Sequence, residues 1–314
     1  MKRFIIKITT LFVLLIAINL VLILAIPKDN NHYLCEYNHK VELIEKNPQP
    51  RIILVGGSSI AFGTNSKTIE DSLYYHVINF GLHAGIGIKY PLEDCLQMIQ
   101  QGDIVVLQIE YENFFNGGNG EPETLLPLMI ATDWRHATSL NFSQWQNIIL
   151  GGVQVSIRNL RRLVNYPFIK SWDSSIINEK FEYVKSGFNE YGDEVGHFKY
   201  PDTSVEPLGT IETRNVDNDF MTWLADIIGD YQKAGAIVLM MPPVCPATYF
   251  HEAFNKNIEK ALHEIHQPYI VSPASMVLDD SCAFNGGYHV NEEGVKQNTA
   301  HMIDVFKKYL TSVQ

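Results

Sequence analysis

From Ile8 to Ile26 the chain is a 19-residue apolar run interrupted only by Thr9, Thr10 and Asn19. At about 1.5 Å per residue, a helix of that length matches the roughly 30 Å hydrocarbon core of a bilayer. Lys2, Arg3 and Lys7 precede the run. By the positive-inside bias they place the N-terminus in the cytoplasm and everything after Pro27 outside the cell membrane. A cleaved signal peptide is the competing reading. Its apolar region is shorter, about 7–15 residues, and ends in small residues before the cut. Leu24-Ala25-Ile26-Pro27 lacks that pattern. Residues 1–27 therefore read as a cytoplasmic tail and single-pass transmembrane anchor. Residues 28–50 read as a polar linker holding the domain off the membrane, and 51–314 as the domain itself.

Within that domain, short apolar runs alternate with helical spacing. Arg51-Ile52-Ile53-Leu54-Val55 ends in Gly56-Gly57, as a buried parallel strand ends in a tight turn. Tyr75 to Gly81, Ile104 to Ile109 and Ala236 to Met241 read as further strands, and Tyr269-Ile270-Val271 as a short fifth. Helices are expected over Tyr90–Gln101, Phe220–Lys233 and, capped near Asn291, Glu292–Leu310. This alternation predicts an α/β fold around a mostly parallel central sheet. Residues 115 to about 215 break the rhythm. They hold a glycine-rich loop at Phe115–Gly120, a helical stretch at Gln154–Val164 and turns from Gly187 to Pro207. They read as a largely helical and irregular insertion, or lid, on the core.

Composition narrows the function classes. The 314 residues hold 24 Lys+Arg against 35 Asp+Glu, a net charge of -11. Without Lys2, Arg3 and Lys7 the remainder carries -14. Such an acidic domain lacks the basic surface that nucleic-acid binding requires. A mean hydropathy of -0.04 excludes a polytopic membrane protein but not a single anchor. Cys35, Cys95, Cys245 and Cys282 lie far apart with no C-x-x-C, so a zinc or thioredoxin-type site is not expected. An extracytoplasmic location permits disulfides, and the spacing does not choose a pairing. No metal-ligand cluster and no cofactor are expected.

The chemistry-bearing stretch is Gly56-Gly57-Ser58-Ser59-Ile60-Ala61-Phe62-Gly63. A serine on a glycine-rich turn after a buried strand sits at the carboxyl edge of the sheet, where open α/β folds bind ligands. A helix starting there offers N–H groups to a developing oxyanion. The pattern is neither a G-x-S-x-G elbow nor a P-loop; a structural or phosphate-binding turn is the bland alternative. Near the C-terminus, Gly286-Gly287-Tyr288-His289-Val290-Asn291 places a histidine on a loop before the last helix. There it can act as base to a serine hydroxyl.

Together these features resemble the SGNH/GDSL hydrolase superfamily of esterases and acyltransferases. Gly57-Ser58-Ser59-Ile60-Ala61-Phe62-Gly63 is similar to its G-D-S-(L/I)-x-x-G block, with Ser58 in place of Asp and Ser59 at the nucleophile's position. Asn79-Phe80-Gly81 resembles the second block, which makes Gly81 the oxyanion-hole glycine. Asn113 stands for the third-block asparagine, though its flanking G-x-N-D pattern is missing. Tyr288-His289-Val290-Asn291 with Gly294 resembles the histidine block. The resemblance covers roughly residues 50–115 and 234–310. It implies a three-layer sandwich with catalytic Ser59 and His289 and an oxyanion hole of Ser59, Gly81 and Asn113. The closest subgroup is membrane-anchored, comprising DltD-like proteins and polysaccharide O-acyl esterases or transferases. Its implied partner is an acylated glycan or other envelope polymer.

One departure matters. The family's Asp, three or four residues before the histidine, falls on Gly286 or Asn285 here. Three readings follow: a Ser–His dyad oriented by Asn285 or a backbone carbonyl, an acid supplied by Asp279 or Asp280, or weak or absent catalysis. A catalytically weak protein that binds envelope glycan or assists its assembly is the second hypothesis. Arg158, Arg161 and Arg162 read as a solvated helix face, with anionic-glycan binding as the alternative. Trp134, Trp145, Trp172 and Trp223 read as packing. Glu110 and Glu112 form a closely spaced carboxylate pair that nothing else ties to glycosidase chemistry.

Overall fold

A computed structural model of the chain describes residues 1–135, 137–170, 172, 183–200 and 215–313. His136 and the 201–207 part of the expected turn-rich stretch lie outside the described residues. The N-terminal run forms one helix, α1 (Lys2–Leu24), with no buried residue. It is long and apolar enough to cross a membrane.

Residues 28–50 are not the polar linker expected from the sequence. After a single turn at Tyr33–Cys35, α2 (Glu36–Lys46) packs onto the domain, and Tyr33, Leu34, Tyr37, Val41 and Ile44 are buried. Those positions recur at three- and four-residue steps and form one helix face. Glu36 and Lys40 disguise the stripe and are themselves buried. Lys40 Nζ donates to Asn79 O at 2.9 Å and to Gly192 O. Burial pulls its pKa down to about 8. This stretch therefore belongs to the folded core.

The sheet is four-stranded and parallel throughout: β1 (Arg51–Gly56), β2 (His76–Asn79), β3 (Ile104–Gln108) and β4 (Ile237–Met240), in the order β2-β1-β3-β4. Register pairs Ile53 with Ile78 and Val105, and Val105 with Val238. Side chains alternate across a strand. Ile53, Val55, Val105 and Leu107 join one buried cluster, while Ile52, Leu54, Ile104 and Val106 join another. The first cluster takes in α2, α5 (Lys89–Leu96), α7 (Pro122–Ala131) and the helices Asn218–Lys233 and Glu252–Glu264. The second takes in α4 (Ser66–Leu73) and the final helix Glu292–Val313. Both faces are covered, which is why the strands read as unbroken apolar runs.

The expected fifth strand is only a single parallel bridge from Met240 to Tyr269. A separate two-stranded parallel pair, Cys245–Pro246 with Val277–Leu278, lies beyond β4. The helical stretch expected at Gln154–Val164 is the middle of α8 (Phe142–Ile169), which starts at a capping box between Asn141 and Gln144. All four cysteines are buried free thiols.

At the amino ends of the strands Arg51 and Asp103 form a fully buried ion pair. Arg51 Nη2 lies 2.5 Å from Asp103 Oδ2, and its Nε lies 2.8 Å from Oδ1. The guanidinium also donates to Ile44 O and Met98 O, which ties α2 and the end of the α5 region to the sheet. The opposite, carboxyl edge of the sheet carries the residues singled out for chemistry.

Candidate active site

Strand β1 ends at Gly56, and the chain turns at Gly57 into the one-turn helix α3 (Ser58–Ala61). Ser59, second in that helix, is fully buried, and its Oγ has no hydrogen-bond partner. A buried hydroxyl left without a partner is a standing cost to the fold. That cost is what a nucleophile's position would impose.

Glu110, just past β3, reaches this turn. Its Oε1 accepts from the Ser59 N–H at 3.0 Å and from Ser58 Oγ at 3.4 Å. Only glycine permits the approach, because a Cβ on Gly57 would lie 1.8 Å from Glu110 Oε2. Burial pushes the Glu110 carboxyl up to about 7; the Ser59 N–H opposes the shift and the Glu112 charge adds to it. The other expected oxyanion donors are also engaged. Gly81 N donates to Asn79 Oδ1 at 3.1 Å. Asn113, first residue of α6 (Asn113–Asn116), accepts from Ile88 N at 3.1 Å and turns its amide nitrogen toward Glu110 O at 3.4 Å. Gly57, His83, Glu110 and Asn113 line one small cavity. A carboxylate thus sits on the N–H group expected to hold an oxyanion.

Glu110 gives a pH-dependence with a defined sign. Its folded pKa lies above the unfolded 4.5, so its stabilising contribution is complete below pH 4.5 and is lost as pH rises through about 7. Glu110→Gln removes that loss. In thermal melts the variant gains on wild type between those pH values, by at most about 3 kcal/mol. A constant difference across the series refutes the assignment.

His289 lies on the loop before the final helix. Its Nδ1 is 2.6 Å from Asn285 Oδ1 and 3.4 Å from the Tyr183 hydroxyl. An amide oxygen only accepts, so Nδ1 carries the proton and Nε2 is the basic nitrogen. The aspartates weighed for this role face elsewhere: Asp280 accepts from Thr248 N and Oγ1, and Asp279 from Ser281. The imidazole stacks on Phe62, one helical turn beyond Ser59, with ring centres 4.1 Å apart. Since Ser59 Oγ is unpartnered, the Ser59–His289 hydrogen bond is not formed. Burial pulls the imidazole pKa down to about 3, with His197 and His83 adding to the shift. Among the described residues no carboxylate accepts from the ring to support its protonated form.

That low basicity yields a gain-of-function prediction. Asn285→Asp sets a charge where the amide oxygen now lies and raises the His289 pKa. If His289 acts as base to Ser59, hydrolysis of an activated acetyl ester is then expected to rise about tenfold or more. An unchanged rate, with the His289 pKa raised by NMR titration, would show that this histidine is not the base.

Two positioning groups escaped the sequence reading. Glu112 accepts from Tyr249 at 2.6 Å and from Tyr288 at 2.8 Å, and the Tyr288 hydroxyl accepts from Tyr111 N at 3.0 Å. The two glutamates thus bind different partners rather than facing each other as a pair. The second group is the insertion segment around Asp193–His197. Asp193 accepts from Ser66 and Asn79, Glu194 N donates to Ala61 O at 2.8 Å, and buried His197 pairs with Glu194 and reaches Val290 O at 2.9 Å. This segment braces the α3 turn against the histidine loop. Turn-forming residues were its only local signal.

Arg158 and Arg162 are more than a solvated face: with His32, Tyr33, His83 and Tyr183 they line a cavity of about 380 Å3. His83 also lines the small cavity beside Gly57. Trp134 stacks on Trp145, Trp172 on Tyr166, and Trp223 donates to Glu93. Among the described residues no cluster of three metal-ligating side chains occurs. No family model, no curated protein and no solved structure matches the chain.

Proposed function

We propose that the chain is a serine esterase or O-acyltransferase of the SGNH kind, with the three-layer sandwich of that superfamily. In this reading α1 anchors it in the cell membrane with the domain on the extracytoplasmic side. The substrate is an acyl group, acetyl first, on an envelope polysaccharide. One observation carries the reading. An unpartnered serine hydroxyl at the carboxyl edge of the sheet lies three residues before Phe62, which follows its short helix and stacks on an imidazole, and Asn285 holds that imidazole with Nε2 basic.

Catalysis follows from these groups. The imidazole turns from Phe62 so that Nε2 takes the Ser59 proton as Oγ attacks the acyl carbonyl. The N–H groups of Ser59 and Gly81, with the Asn113 amide, hold the oxyanion once they leave their present acceptors, the Glu110 carboxylate, Asn79 Oδ1 and Glu110 O. His289 then protonates the leaving alkoxide, and water or a sugar hydroxyl resolves the acyl-enzyme. Hydrolysis and transfer share these steps and differ in whether water is excluded.

The Glu110 carboxylate on Ser59 N–H and the unformed Ser–His bond favour a second reading, a glycan-binding or assembly protein without turnover. A fluorophosphonate separates the two. The enzyme reading expects labelling of the full chain in detergent. The binding reading expects none, with polysaccharide binding retained.

A further inference from the structure

Helix α8 carries an exposed apolar face that nothing among the described residues covers. Phe142, Ile149, Val153, Ile157, Leu160 and Val164 are 49–78% exposed. Their three- and four-residue spacing puts them on one side of a 28-residue helix. The opposite side is committed to the domain: Gln144, Ile148, Gly151 and Val155 are buried. A Cβ on Gly151 would lie 2.0 Å from Pro122 O, so this glycine lets α7 pack close.

A third side meets α1. Ser156 Oγ donates to Asn19 O at 3.2 Å, and Asn159 Nδ2 donates to Leu22 O at 2.9 Å. Gly152 faces Ile23, and a Cβ added there would reach ordinary contact with it at 3.7 Å. These contacts fall in the last turns of α1, where it would leave a membrane. Small and amide side chains bonding to backbone are how membrane helices associate. The exposed face of α8 is therefore continuous with the exposed apolar surface of α1, which is half-buried only at Asn19, Leu22 and Ile23.

Charge points to the same occupant. Beyond residue 27 the chain carries -14, yet α8 has no acidic residue, and Arg161 flanks its apolar face; Arg158 and Arg162 fall on the domain side, where Arg162 lies 3.8 Å from Asp29. Trp145 stands near one end of the helix and Tyr166 near the other. Apolar face, arginine flank and terminal aromatic rings are the features of a helix lying in the plane of an anionic bilayer surface. We infer that α8 lies in the headgroup–acyl boundary of an anionic membrane beside the exit of α1. The domain, on this view, rests on the lipid. This rests on the reading of α1 as a membrane span.

The test uses the full chain in vesicles of phosphatidylcholine and phosphatidylglycerol. The four native cysteines are buried and resist labelling. An environment-sensitive fluorophore is placed in turn at Val153→Cys and Leu160→Cys on α8, at Leu11→Cys in α1, and at Lys256→Cys on the domain surface. Lipids bearing a spin label near the headgroup are expected to quench both α8 positions about twofold or more and to leave Lys256→Cys unchanged. Quenching at Leu11→Cys by deeper spin labels without quenching on α8 overturns the inference and leaves the anchor standing. Absence of quenching at all three apolar positions overturns both.

Discussion

Full-chain protein carrying Ser59→Ala takes up no fluorophosphonate, and its hydrolysis of acetyl esters falls by at least about 10³-fold. The loss comes without unfolding. Ser59 Oγ is buried and makes no hydrogen bond, so removing it deletes an unsatisfied polar atom rather than a stabilising contact. The variant should melt at the wild-type temperature or above it, with a gain of about 1 kcal/mol. Lost reactivity with gained stability distinguishes a nucleophile from a structural serine. A structural serine would lose stability on the same change and leave reactivity untouched. Wild type that resists the reagent while glycan binding persists defeats the enzyme reading.

The second large effect is on the fold. Asp103→Ala strands the Arg51 guanidinium in the interior, because Asp103 accepts from both its Nε and Nη2. The same carboxylate accepts from Gln100 N at 2.7 Å and from the Gln49 amide. Both members of the ion pair are wholly shielded from water. Leaving one such charge unpaired costs about 3–5 kcal/mol. Replacing both residues by apolar groups of similar volume, Arg51→Met with Asp103→Leu, costs far less than the sum of the single changes. Urea unfolding of the four proteins in detergent closes this cycle. A double variant as unstable as the sum would mean that the two groups act independently. Either outcome concerns the amino edge of the sheet and leaves the carboxyl edge as a separate matter.

What could be read from the chain follows from where each signal resides. The strands were legible because both faces of the sheet are covered, which turns β1, β3 and β4 into unbroken apolar runs. Tyr269–Val271 looked like the same thing but lies past β4, where a single bridge is all the pairing it finds. Helix α2 was hidden by its charges. Glu36 and Lys40 sit on its buried side, and Lys40 is held by carbonyls 39 and 152 positions away, which local periodicity does not contain. Helix α8 was foreshortened because Gly151-Gly152 reads as a break. Gly151 instead serves a close approach to α7. At the site, Ser59 and His289 stood out through motif spacing, and Asn285 through its place before the histidine. The arrival of Glu110 at the Ser59 N–H spans 51 positions and leaves no trace in either local stretch. The bracing by Asp193–His197 is likewise a tertiary fact.

The phenols of Tyr249 and Tyr288 grip one carboxylate, Glu112, and Gly287 lies so flat on the Tyr249 ring that a Cβ there would come within 2.0 Å of it. The backbone beside His289 is thereby riveted to the tip of the central strands. On the proposed chemistry, engagement of this imidazole with the serine is expected to be a swivel about its own side-chain bonds, at the speed of a rotamer change rather than of a closing flap.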